Sequence, residues 1–352
     1  MKKLLAFLIV LIVAFSGYWF FAAGQIEHRA RDFANQAARN GWGNAEAVSV
    51  SGYPLRFDLT IRQPDIAPRG GRFGWHPDWI RLSAPSYAPN KITALMPDAQ
   101  NLTLGGTTYT LKSDRPHAAL NVALRSGLPL REASVSLERP QIASTNGEAF
   151  TNARDVNTTI TAQSAEDGAI GAPDQVGQVI TPAYAYHVDM VLNDLELPTG
   201  LLERLLKDAP LANRLEQIRL DATLGTKAPL DQNSLAVLPP VQTLRVDGLN
   251  LTWDGKVANA TGALAINDAG QPEGELTFST PDWKAWLEVA VQAGIIPQNR
   301  MFIVQGLLGQ MVGDGDTQDL SLPLTFRAGQ MKLGPLPLGP APVIQPATVP
   351  AP

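Results

Sequence analysis

The chain has 352 residues, a formal net charge of −5 and no cysteine. Mild acidity leaves no basic footprint for nucleic acid, and the missing cysteine excludes disulfides, thiolate metal sites, a cysteine nucleophile and a lipid-bearing cysteine. Charged residues are 17%, against about 25% in an average soluble domain, and with 30 Gly and 28 Pro this fits a turn-rich β body.

Met1-Lys2-Lys3 is followed by an uncharged run from Leu4 to Ala23, about the length a helix needs to cross a ~30 Å hydrocarbon core. Tyr18, Trp19, Phe20 and Phe21 gather at its far end, where aromatic side chains favour the membrane–water boundary. Lys2 and Lys3 favour a cytoplasmic N-terminus, a modest signal because Arg29 and Arg31 lie just past the other end. The rival reading is a cleaved signal peptide, with an apolar core of about 7–15 residues and a small-x-small cleavage site. Here the core is longer and bulky Phe21 stands two residues before Ala23. Residues 1–24 are therefore expected to be a transmembrane anchor. Ile26, Ala30, Phe33 and Ala37 then share one helical face, so 25–41 reads as an amphipathic helical spacer, capped at Asn40-Gly41.

Alternation of apolar and polar residues marks strands with one buried face. Tyr53, Leu55, Phe57, Leu59 and Ile61 alternate with Arg56, Asp58, Thr60 and Arg62. Further sets are Leu120, Val122 and Leu124; Tyr184, Tyr186, Val188, Met190 and Leu192; Ile218, Leu220, Ala222 and Leu224; and Leu322, Leu324 and Phe326. Two runs change phase at a glycine: Val48 and Val50 precede Gly52, and Leu244 and Val246 precede Gly248, with Leu249, Leu251 and Trp253 after it. A one-residue slip turns the apolar set to solvent unless a glycine at a bulge restores the facing and bends the strand. Turn signals at Gly105-Gly106, Asn146-Gly147, Asp254-Gly255 and Asp268-Ala269-Gly270 predict antiparallel meanders. The expected fold is mostly β (α+β): an N-terminal transmembrane helix followed by a long curved antiparallel β-sheet with a few packed helices.

Pro198 to Leu215 is predicted helical, with a stripe of Leu201, Leu202, Leu205, Leu206 and Leu215 and a break point at Pro210. Pro281 to Ala293 has Thr280 as N-cap and Pro281 in the first turn, with Trp283, Trp286, Leu287 and Ala290 inward. Gln298 to Val312 uses Phe302, Leu307, Leu308 and Met311. The β-rich body is expected over 42–338, and a strand–proline–helix order in Val188–Leu206 and Glu275–Val291 suggests two sub-repeats meeting near 215–240. The polar stretch Ala143 to Pro182 holds one strand pattern, Val156 to Ile160, in an otherwise mobile excursion. The Pro/Ala-rich tail 339–352 is expected extended and unpacked.

Chemistry is sparse. His28, His76, His117 and His187 have no His-x-His or His-x-x-x-His partner; His117 is expected in a turn after Arg115-Pro116 and His187 on an exposed strand face. No Gly-x-Ser-x-Gly elbow and no phosphate-binding glycine loop occurs. Gly313 to Asp319 carries three carboxylates, but Thr325 stands where a helix–loop–helix Ca²⁺ site needs a bidentate Glu. Neither catalytic residues, nor a metal set, nor a cofactor is expected. The densest aromatic stretch, with Arg72, Phe73, Trp75, Trp79, Arg81 and Tyr87, reads as a ligand or partner surface, or else as a core corner with arginines stacked on rings at its edge. Arg56 is expected to pair with Asp58 or a neighbouring strand.

Gly52-Tyr53-Pro54-Leu55-Arg56-Phe57-Asp58, Ala84-Pro85-Ser86-Tyr87-Ala88-Pro89-Asn90, Leu251-Thr252-Trp253-Asp254-Gly255 and Gly334-Pro335-Leu336-Pro337-Leu338-Gly339 occur in this order. With the N-terminal anchor they resemble the alphaproteobacterial, membrane-anchored family named domain of unknown function 2125. The resemblance covers nearly the whole chain and implies no activity or catalytic residue. More loosely, an inner-membrane anchor followed by a curved β body is similar to AsmA-like periplasmic proteins, associated with envelope lipid homeostasis through apolar-lined grooves. That similarity is architectural, and fold does not fix function.

The function expected is therefore that of a non-enzymatic, single-pass inner-membrane protein with a periplasmic body, binding lipid or another apolar ligand in envelope maintenance. Two alternatives stay open: a scaffold that docks onto an envelope protein complex, and a carboxylate-dependent hydrolase of envelope polymers. The expected partners are the membrane and a lipid or an envelope protein, with no nucleic acid.

Overall fold

The computed structural model describes residues 2–67, 73–145, 149–171, 179–198, 200, 211–292, 296–310, 312, 319–334 and 336–344. The chain divides into two compact units, Met1–Glu148 with Asp231–Leu238, and Ala149–Leu230 with Pro239–Pro352.

The first unit opens with one unbroken helix, α1 (Lys2–Arg39), which covers both the apolar run and the expected spacer. It ends at the predicted cap: Trp42 N donates to Ala37 O at 3.2 Å and Gly41 takes φ +69°, the left-handed conformation that glycine adopts without Cβ strain. The strands that follow are β1 (Gly43–Asn44), β2 (Ala47–Ser51), β3 (Arg56–Arg62), β4 (Asp65–Ile66), β5 (Phe73–His76), β6 (Trp79–Pro85), β7 (Lys91–Leu95), β8 (Ala99–Leu104), β9 (Thr107–Val122) and β10 (Leu130–Ser144). All described pairs are antiparallel. β2, β3, β6 and β7 pair in that order, and so do β1, β4, β5 and β8. Both rows end on β9, at Lys91↔Asn121 and at Ala99↔Lys112, and β10 pairs with the other side of β9.

The two rows are one meander whose strands break along a common line. The breaks lie at Gln63-Pro64, Pro77-Asp78 and Met96-Pro97-Asp98. In β9 and β10 the same line passes Arg115-Pro116 and Arg139-Pro140, where the β9–β10 register shifts. Gln63, Arg115 and Arg139 take φ of 43°, 45° and 46°, and Pro64, Pro77, Pro116 and Pro140 are buried. Proline has no N–H for a ladder, so inside a sheet it sits where a bulge turns the strand. Hydrogen bonds still cross the line: backbone Gln63 N to Asp78 O and Ser113 N to Asp98 O, each at 2.8 Å, and the Ser113 hydroxyl to Glu138 O at 2.9 Å.

The second unit holds β11 (Ala149–Asn152), β12 (Asp155–Gln163), β13 (Ile170–Gly171), β14 (Val179–Ile180), β15 (Tyr184–Glu196), β16 (Arg214–Thr226), β17 (Val241–Trp253), β18 (Lys256–Ile266), β19 (Pro272–Thr280), β20 (Leu320–Arg327), β21 (Gln330–Leu333) and β22 (Leu336–Pro340). β11 and β12 pair with β15, and from β15 to β22 each strand pairs antiparallel with the next; β13 and β14 form a separate hairpin. At β17–β18 the turn places Asp254 at φ 52° and Gly255 at φ 71°, the pair of left-handed residues that a two-residue hairpin loop requires. The phase change at Gly248 is a bulge: Asp221 pairs with Gly248 and Ala222 with Val246, so Asp247 is the extra residue.

Two helices, α2 (Trp283–Gln292) and α3 (Met301–Gly309), cover one end of this sheet. α2 begins two residues later than the expected cap at Thr280 implies: Thr280 closes β19, Trp286 N donates to Asp282 O at 3.0 Å, and Thr280 Oγ1 holds the turn between strand and helix, accepting from Asp282 N at 3.0 Å and donating to Val257 O at 2.5 Å. Trp283, Leu287, Val304 and Leu308 bury against Leu320 and Leu322 of β20. A second core joins Val246, Leu264, Leu276 and Phe326, with Ala341 packed against them.

Several expectations are corrected. Gly52 is no bulge; at φ +97° it lies in the turn between β2 and β3, so each strand keeps its own phase. Tyr53 and Leu55 share that turn and are exposed, at 47% and 67%. Leu124 lies beyond β9 and is also exposed. Of the helix expected over Pro198 to Leu215, residues 201–210 lie outside the described residues, and Leu215 is in β16, where it pairs with Trp253. His117 belongs to β9, one residue past the Arg115-Pro116 bulge, rather than to a turn. Gly339 and Pro340 belong to β22, and Ile344 N donates to Gly270 O at 2.8 Å, so the described part of the tail is packed. Asn146-Gly147 is not among the described residues.

Two glycines of the second unit give a test. Gly262 has φ +144°, and a Cβ there would stand 2.5 Å from Glu275 O, whereas a Cβ on Gly248 would meet nothing nearer than 3.9 Å. Gly262→Ala is expected to cost roughly 1–3 kcal/mol from the backbone alone, and Gly248→Ala clearly less. Denaturant unfolding of the two variants in detergent checks the difference.

Candidate functional site

The aromatic stretch singled out in the sequence does not gather into one surface. Arg72 lies outside the described residues. Phe73 opens β5, exposed and opposite Leu104. Trp75 is half-buried and donates from Nε1 to Oε1 of the buried Gln100 at 2.7 Å. Trp79 and Arg81 share a face of β6, with the guanidinium carbon 5.7 Å from the ring centroid, a cation–π contact. Tyr87 lies past the other end of β6, in the turn before β7, and is 82% exposed. Among the described residues of the stretch, only Trp79 and Arg81 are brought together; Trp75 is half-buried with its indole N–H bonded to Gln100.

The ionisable groups pair locally. His28 faces Asp32 at 3.4 Å, His76 faces Asp65 at 2.9 Å and half-buried His187 faces Asp221 at 3.6 Å. Arg56 faces Asp58 at 3.5 Å, as expected, and Asp58 also accepts from Ser83 Oγ. In the second unit Asp194 is held by Arg154 at 2.9 Å and Arg214 at 2.8 Å, while Asp155 accepts from Asn193 at 2.9 Å. These are ladders across β12, β15 and β16 that tie neighbouring strands. Among the described residues no three His, Asp or Glu side chains converge as a metal set. Of the acidic loop, residues 313–318 lie outside the described residues.

The opposite face of the second unit's sheet is aliphatic. Cross-strand registers place Val188, Ala222 and Val246 in one row and Met190, Leu220 and Leu249 in the next, followed by Leu192, Ile218 and Leu251. The middle row continues through Ala260 and Phe278 to Leu322. At the β20 end Leu322 is buried beneath the helices, at 2% exposure. At the β15–β17 end Val188, Met190, Leu192, Ile218, Leu220, Leu249 and Leu251 remain half-buried. Such a face offers transfer energy, about 0.8 kcal/mol per buried methylene, and no polar chemistry.

The feature without a sequence mark is the seating of α1. Trp19, at 4% exposure, and Ala23, at 7%, pack with Phe57, and the Trp19 and Phe57 rings stack with centroids 5.5 Å apart. Trp19 Nε1 donates to Arg56 O at 2.9 Å, and Ser16 Oγ lies 2.7 Å from the Tyr53 hydroxyl. Farther along, Arg31 donates to Val48 O at 3.3 Å, Phe33 meets Trp42 at 5.4 Å and Ala37 is buried. The stripe of buried Trp19, Ala23 and Ala37 and half-buried Ile26, Ala30 and Phe33 continues the predicted amphipathic face backwards by helical spacing. Within Leu4–Ala23 it is invisible, because its neighbours are apolar too.

Among the described residues one helix, over Ile9–Arg39, is long and apolar enough to cross a membrane, and most of its apolar window is exposed. No curated protein and no solved structure matches the chain. A bacterial family described as an uncharacterised conserved protein, domain of unknown function 2125, matches residues 19–342. The motifs from Gly52 to Gly339 all fall inside that match, and the chain belongs to this family.

Proposed function

We propose that the chain is a single-pass protein of the bacterial inner membrane, with its body in the periplasm, and that the aliphatic face of the second unit takes an acyl chain or a similar apolar ligand. The observation that carries the ligand is the contrast along one sheet face: Leu320 and Leu322 of β20 are fully buried under α2 and α3, whereas Val188, Met190, Leu192, Ile218 and Leu251 of β15–β17 are only half-buried, beside the buried Ala222 and Val246. Half-buried aliphatic rows of this kind gain transfer energy when an apolar ligand covers the area they still expose. The anchor reading rests on the length and composition of α1, and the orientation on Lys2 and Lys3. Nothing in the ion-pair ladders supports a hydrolytic carboxylate pair.

A protein-docking role is the second reading, and one observation favours it. α3 exposes Phe302 at 82%, Ile303 at 73% and Leu307 at 44%, an apolar face of the kind that a partner helix or sheet covers.

Met190→Gln/Leu192→Gln alters the half-buried rows without touching α1. Losing about 1–2 kcal/mol of apolar contact corresponds to roughly ten-fold weaker binding. Lipids extracted from the purified full chain and weighed by mass spectrometry are expected to fall several-fold in the variant. Equal lipid in both proteins contradicts the proposed site. Orientation is checked by a C-terminal reporter that is active only in the cytoplasm: silence is expected, and activity overturns the periplasmic placement.

A further inference from the structure

The end of the first unit beside α1 carries three loop tips: Gly52–Leu55 between β2 and β3, Ser86–Asn90 between β6 and β7, and Ala123–Pro129 between β9 and β10. Register puts them on one edge, since Arg56 pairs with Pro85, Lys91 with Asn121 and Val122 with Leu130. Hydrogen bonds join them: Ser86 N to Leu55 O at 2.9 Å, Val122 N to Asn90 O at 3.1 Å, and Asn90 Nδ2 to Asn121 Oδ1 at 3.1 Å. At this edge Tyr53 is exposed at 47%, Leu55 at 67%, Tyr87 at 82%, Leu124 at 68% and Leu128 at 42%.

α1 leaves the unit at the same edge. Ser16 meets Tyr53, Tyr18 OH donates to Ser86 O at 3.5 Å, Phe20 stacks on Tyr53 at 5.3 Å, and the docked stripe then runs away from the tips toward Trp42. The docked part therefore begins inside the apolar run Leu4–Ala23. Leu4 to Phe15 rises only about 18 Å as a helix, short of the ~30 Å core it has to cross. With α1 seated as observed, the remaining thickness includes the level of Ser16–Ala23, and that level is where the tips stand. Phe20 and Phe21 are exposed at this level, at 63% and 70%. Aromatic rings and aliphatic tips next to Lys91 and Arg125, both exposed, match a membrane boundary with anionic headgroups.

We propose that this edge of the first unit is inserted in the membrane interface, with Tyr53, Leu55, Tyr87 and Leu124 as its contacts, so that the body sits on the bilayer instead of standing off it. The inference rests on α1 spanning the membrane. The cysteine-free chain permits single labels: Leu55→Cys, Tyr87→Cys and Leu124→Cys carry an environment-sensitive fluorophore, as do Thr107→Cys at the opposite edge and Val10→Cys within the anchor. The full chain is reconstituted in phosphatidylethanolamine–phosphatidylglycerol vesicles with nitroxide-bearing lipids. Labels at 55, 87 and 124 are expected to shift to the blue and be quenched by nitroxide, and the label at 107 to behave as in water. Quenching at 10 with water-like behaviour at 55, 87 and 124 overturns the inserted edge and leaves the anchor standing. Water-like behaviour at 10 as well overturns both.

Discussion

Everything in the first unit depends on one helix meeting two demands. α1 is apolar enough to cross a bilayer, yet one stripe of it is committed to protein. Trp19 is the point where the demands meet: its ring stacks on Phe57 and its N–H satisfies Arg56 O. A large aromatic buried this way is worth about 3–5 kcal/mol against truncation, and its indole N–H would otherwise be an unpaired donor. The helix also packs beside β1 and β2, each of which has one described partner strand and so an edge of the kind that can pair with other chains.

The proline line gives this unit its second constraint. A flat meander of long strands offers one straight surface, whereas strands that break at Pro64, Pro77, Pro97, Pro116 and Pro140 turn together across the sheet. The turn works only because the breaks are in register, and the bonds through Gln63, Asp78, Ser113 and Glu138 hold them there. In the second unit the same task falls to Gly248, where one extra residue bends β17 between β16 and β18.

The second unit was the more legible of the two. Alternation over Tyr184–Leu192, Ile218–Leu224 and Leu322–Phe326 marked β15, β16 and β20, and the phase change at Gly248 marked its bulge, because both signals are local in sequence. The proline line was not legible: the intervals between its prolines differ, and only the strand registers align them. Gly52 misled because a phase change has two causes, a bulge or a turn, and the extended-looking Tyr53-Pro54-Leu55 hid the turn. The candidate aromatic stretch failed to converge for a related reason, since Phe73 and Tyr87 sit at opposite ends of the β5–β6 chain segment. From sequence Trp19 reads as a boundary aromatic, because nothing within an all-apolar run distinguishes a lipid-facing side from a protein-facing one.

The placement of the first unit depends on whether α1 stays seated on β1–β3 when its N-terminal half is in a membrane. Ser16→Cys/Tyr53→Cys places two thiols at the contact in a chain that has no other, and a short bifunctional thiol reagent can join them in membranes holding the full chain. Tryptic peptides of positions 16 and 53 are predicted to be recovered linked, with Ser16→Cys/Thr107→Cys unlinked. Recovery of both pairs unlinked, at full labelling of each thiol, would contradict the docked anchor.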